Sequence, residues 1–142
     1  MSTYTLSPDG HSVSFTIHLP PVSKKNSQQI LYKWSAKKQK QVPFIAPSRQ
    51  YKTYEHNAMI LCPRIKITPE PVNVKCLFYM PTHRKCDLVN LLEAIDDVLV
   101  KRGIIEDDNY SVIASHDGSR VLHDPNNPRT EVCISSFEEG RL

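Results

Sequence analysis

Twelve residues, CDLVNLLEAIDD at 86–97, carry Asp87, Glu93, Asp96 and Asp97 together with Asn90 and six aliphatic side chains. A second acidic group, EDDN, follows at 106–109 and contains Asp107 and Asp108. Carboxylates crowded into a small space stay ionised only beside a cation, so acids at this density raise the question of a metal site. Oxygen donors with no cysteine or histidine among them favour Mg2+ or Mn2+ over zinc. The other reading is the solvated face of an amphipathic helix. Which one holds depends on whether Asp107 or Asp108 comes back to Asp87, a matter for the fold.

Other chemistries find little support. The cysteines, Cys62, Cys76, Cys86 and Cys133, form no CxxC pair, which argues against a zinc ribbon and for reduced, mostly buried thiols. The six histidines show neither HxH nor HxxxH spacing. Nucleophile elbows, Walker A loops and GxGxxG turns are absent.

Charge is divided along the chain. Residues 24–85 hold thirteen Lys or Arg against two acids, a balance of +11, whereas residues 86–142 hold five against twelve, a balance of −7. A basic half of this kind suits a polyanion such as DNA, since each neutralised phosphate releases counterions. In PPVSKKN, two prolines give a rigid exit from a strand and aim Lys24, Lys25 and Asn26. Lys37, Lys38 and Lys40 crowd one short segment, and Arg84 with Lys85 precedes Asp87. These eight are the candidate DNA-binding residues. Tyr32, Trp34 and Phe44 lie among the lysines and offer stacking surfaces, but burial of at least two of them in the core is expected.

The elements that would position these groups follow from periodicity. VSFTIHL (13–19) and PVNVKCLFYMP (71–81) alternate apolar and polar residues and are expected to be half-buried strands. Strand-like pieces at 30–34 and 42–45 flank AKKQK, a loop or hairpin tip. Ser48 would cap a helix carrying Tyr51, Tyr54, Ala58 and Leu61 and ending at Pro63. Leu88, Leu91, Leu92, Ile95, Val98 and Leu99 mark a second helix from an Asp87 cap to Gly103, with Asn90, Glu93 and Asp97 on its opposite side. Val89 and Val100 stand on that polar face, where a subunit contact would use them. Residues 110–124 and 129–135 complete the pattern as two strands joined by DPNNP. The expected class is α/β in the α+β sense, a small mixed sheet with two main helices, in a single domain over 1–142.

In order and over nearly the whole chain, PPVSKKN, PSRQYKTYEHN, RKCDLVNLLEAIDDVLVKRGIIEDDN and NPRTEVCI resemble the RusA family of Holliday junction resolvases. By that resemblance Asp87 matches the first catalytic aspartate, Asn90 the motif asparagine, Asp97 the helix aspartate and Gly103 the glycine. Asp107 and Asp108 match the double aspartate, of which Asp108 is the catalytic member. Val89 stands where the family has its second aspartate, and Glu93 where it has its lysine. Residues 89 and 93 share a helical face and side chains lean toward the N-terminus, so Glu93 is the expected substitute ligand at the space Val89 vacates. Arg84, Lys85 and the Lys24/Lys25 loop are the candidates to replace the lysine.

The resemblance implies a Mg2+-dependent endodeoxyribonuclease, with Mn2+ as substitute ion, that nicks four-way or other branched DNA as a homodimer. Asp87, Asp108 and Glu93 would hold the metal, with Asp107 beside them. The alternative is a branched-DNA-binding protein that has lost part of the motif. With no leader pattern and no apolar run of membrane-spanning length, a cytoplasmic protein without membrane contact is expected.

Overall fold

The computed structural model of the chain describes residues 3–24, 28–67 and 71–137. A short edge strand, β1 (Thr5–Leu6), leads into β2 (Ser12–Ile17), where alternation buries Val13, Phe15 and Ile17. Beyond Pro20 and Pro21 the chain leaves the sheet. Strands β3 (Gln28–Ser35) and β4 (Lys40–Pro47) pair with each other, antiparallel, as a separate two-stranded ribbon. AKKQK turns its tip, where Gln39 takes a positive φ of 50° and Lys38 N donates to Ser35 Oγ at 3.2 Å.

Helix α1 (Arg49–Leu61) starts as expected, with Ser48 Oγ accepting from Tyr51 N at 3.1 Å. Tyr51, Tyr54 and Ala58 point inward; Leu61, expected to join them, is exposed because the helix stops there and Cys62 enters the core instead. Strand β5 (Val72–Met80) buries Val72, Val74, Cys76 and Phe78. Helix α2 (Leu88–Arg102) follows and closes on Gly103, whose φ of 84° is the left-handed conformation that glycine adopts without strain.

The single strand expected over 110–124 is divided. Gly118, at φ 86°, and a Ser119 N to His116 O bond turn the chain between β6 (Ile113–Ser115) and β7 (Arg120–His123). Both lie parallel to β5, the first beside Val72 and Asn73 and the second beside Leu77 to Met80. Strand β8 (Arg129–Ser136) runs antiparallel between β2 and β5. The sheet order β1-β2-β8-β5, with β6 and β7 sharing the last edge, is mixed. The class is therefore α+β, with two helices and a small mixed sheet.

One hydrophobic core joins the inward residues of β2, β5 and β8 to those of α1 and α2 and to Ile104 and Ile105. In α2 the buried residues are Asn90, Leu91, Ala94, Ile95, Asp96, Val98 and Leu99, while Leu88 and Leu92 are only partly covered. The buried side is thus wider than the aliphatic arc alone, and Asn90 is buried rather than solvated. No helix among the described residues is long and apolar enough to cross a membrane.

Candidate functional site

Asp87 occupies the N-cap position of α2 with extended backbone angles, yet its carboxylate makes no capping hydrogen bond. Its Oδ2 instead accepts from the buried Asn90 Nδ2 at 3.3 Å, one turn along. The expectation that capping accounts for this acid fails: an exposed carboxylate is steered by a buried amide and remains open to a cation. Arg84 and Lys85, both exposed, precede it in the loop that links β5 to α2.

The three acids further along α2 repel one another on the helix alone, and two are relieved by distant parts of the chain. Asp96 is buried, and His116 Nε2, just past β6, donates to its two oxygens at 2.9 and 3.1 Å. Burial pushes the Asp96 carboxyl up, and the His116 contact opposes that rise. Asp97 lies 3.6 Å from Lys24 Nζ, so the lysine loop reaches the acidic helix. Among the candidates for the missing family lysine, Lys24 is the described residue paired with an α2 carboxylate; Lys25 and Asn26 lie outside the described residues. Glu93 is exposed, beside Val89, which is 62% exposed.

Asp107 is engaged within its own turn. Its Oδ1 accepts from Asp108 N at 2.7 Å and its Oδ2 from Asn109 Nδ2 at 2.8 Å. The Asp108 amide, with the Asn109 side chain, holds the Asp107 carboxyl below its ordinary range. Asp108 is exposed and its charge acts on Asp96, so the acidic turn does return toward α2.

Among the described residues no three His, Cys, Asp or Glu side chains stand together in a group able to hold a metal. Helix α2 has 15 residues and is about 22 Å long. Asp87 begins it, the Asp107–Asp108 turn follows its far end, and β6 then starts beside the first residues of β5 while Asp87 follows the last ones. The donors of Asp87, Glu93 and Asp108 suit Mg2+ in kind, being carboxylate oxygens.

Two participants escaped the sequence reading, Asp96 as a buried acid and His116 as its partner. The relevant signal was an acid on the apolar side of the helical wheel; nothing in the spacing pointed to a histidine twenty residues on. Elsewhere, Arg129 binds Asp124 at 2.9 Å and Glu131 at 2.8 Å and lies over the Tyr79 ring, a structural clamp. A cavity of about 1230 Å³ lined by Ser14, Thr16, His18, Lys75 and Glu131, among others, includes none of the predicted site residues. Compared with known proteins, the chain matches no family model and no curated sequence.

Proposed function

We propose that this protein acts on branched DNA as a RusA-like, Mg2+-dependent endodeoxyribonuclease, working as a homodimer. The observation that carries the reading is Asp87: an exposed carboxylate at a helix start, released from capping and oriented by the motif residue Asn90. Its neighbours Arg84 and Lys85, Lys24 across α2, and the lysines of the β3–β4 tip supply the cations that a phosphate backbone requires. Val89, 62% exposed on α2, is the apolar residue there that a two-fold subunit contact would cover. A dimer with two such centres matches the approximate two-fold symmetry of a four-way junction.

Val89 and Glu93, standing where the RusA pattern has an aspartate and a lysine, favour a second reading, a branched-DNA-binding protein without cleavage. Nicking of a synthetic four-way junction in the presence of Mg2+ separates the two. The nuclease reading expects paired nicks from the wild-type chain and a loss of at least about 100-fold in Asp87→Asn and in Asp108→Asn, on the scale of removing a group that stabilises charge in a transition state. Asp87→Asn should melt like the wild type, since no capping bond is lost and the new amide oxygen can still accept from Asn90 Nδ2. Junction binding without nicking in Mg2+ or Mn2+ would establish the second reading instead.

A further inference from the structure

The β3–β4 ribbon presents one face made of Ile30, Tyr32 and Trp34 from one strand and Ile45, Pro43 and Gln41 opposite them. Ile30 is 65% exposed, Tyr32 67%, Trp34 61% and Ile45 69%. On the other face Lys33 Nζ sits 5.4 Å from the centre of the Phe44 ring, which occupies that aromatic surface. A two-stranded ribbon hydrogen-bonded to no further strand is marginal in water, and an uncovered apolar face of this size marks a contact surface. The burial expected for Tyr32 and Trp34 does not occur, so these two rings are available to a partner.

Charge selects the partner. No Asp or Glu occurs from residue 10 to residue 54, and Lys37 and Lys38 lie at the tip of the ribbon, beside the Trp34 end of this face. A second copy docked tip to tip would bring these lysines against one another with no acid of the ribbon to offset them, which electrostatic complementarity disfavours. An anionic polymer with flat apolar faces meets both features: phosphates for the lysines and bases for the rings. Spacing agrees. Residues i and i+2 of a strand are about 6.7 Å apart, so Tyr32 and Trp34 flank a gap of about two base-stacking distances, room for one base between the rings.

We infer that the Tyr32–Trp34 face of the ribbon binds unpaired nucleic-acid bases by stacking, while the tip lysines hold the adjoining phosphates. This rests on the DNA partner proposed above but not on cleavage. In branched DNA the unpaired or frayed bases at the point of strand exchange are the natural occupants. The ribbon would thus select junctions and single strands over continuous duplex.

Trp34 is the sole tryptophan, so its emission reports directly on the proposed contact. The full chain, in EDTA to prevent cleavage, is titrated with a single strand, a four-way junction with an unpaired segment, and a blunt duplex, and labelled-DNA anisotropy is followed in parallel. Emission should be quenched by the first two and much less by the duplex. Trp34→Ala and Tyr32→Ala should each weaken single-strand binding roughly 5- to 100-fold, the range for loss of one base–aromatic stack. Trp34→Phe should retain most of the affinity, separating stacking from misfolding. Binding by anisotropy with unchanged emission, or an alanine variant that binds normally, would overturn this proposal and leave the nuclease reading standing. A blue shift with rising protein concentration in the absence of DNA would assign the ribbon to contact between copies and overturn it too. Failure to bind any DNA would remove both readings.

Discussion

Asp96 shows how a single charge is accommodated on α2. It is buried, and its two oxygens are held by His116 Nε2. Its folded pKa lies above the ordinary 3.8 because burial outweighs that contact. A carboxyl raised in this way holds its proton more tightly in the folded chain than in the unfolded one. Its contribution to stability is therefore lost as pH rises from 3.8 through the folded value. His116→Ala removes the group that opposes the rise and leaves a buried carboxylate alone. At neutral pH this should cost about 1–3 kcal/mol, the usual penalty for an unsatisfied buried polar group. At pH 4 the loss should shrink, since Asp96 can then take up a proton. Urea unfolding at the two pH values measures the difference; equal losses would mean that the imidazole contributes packing alone.

At the scale of elements, the two helices begin differently although both carry a capping residue. Ser48 caps α1 through its hydroxyl, whereas Asp87 occupies the corresponding backbone position of α2 and binds Asn90 instead. Ser48→Ala should therefore destabilise the protein by about 1 kcal/mol, the typical value for a lost cap. The check is a lower urea midpoint with an unchanged slope, which reports stability without a change in the surface exposed on unfolding. The helices are tied to each other by Lys101 Nζ on Glu55 Oε1 at 2.7 Å. Lys101 was the i+4 partner available to Asp97 on the same helix, so the tertiary ion pair, and not the local one, decides where it points. Among the described strands, β3 and β4 form a sheet of their own, and Tyr32 and Trp34 on it are exposed.

For the molecule as a whole, the core places Cys62 and Cys76 between the sheet and the helices. Burial pushes the Cys62 thiol up to about 12 and the Cys76 thiol well above its ordinary value. Neither forms appreciable thiolate near neutrality, so both should resist alkylation in the folded protein. They are expected to become reactive together, over the same urea range, because they belong to one core. Mass spectrometry after pulsed alkylation tests this, and early labelling of Cys62 alone would mean that the α1 end opens independently. The charge division along the chain also survives folding in part: the ribbon tip is basic and the 106–109 turn acidic, but Lys24 lies against Asp97 and joins the two halves at α2.

Periodicity by itself determined both helices, their limits at Ser48 and Gly103, and strands β2 and β5, because alternation and 3.6-residue spacing are local consequences of burying one side of an element. Tertiary structure alone decided the rest. It packed α2 on a side wide enough to bury both Asn90 and Asp96, paired Asp96 with His116 and Asp97 with Lys24, and split one expected strand between two positions along β5. It also brought the charge of Asp108 to bear on Asp96 of α2, a relation that spacing alone does not show. Which side chains meet depends on how elements pack and in which direction they run, and neither is written in the spacing of residues along a single element.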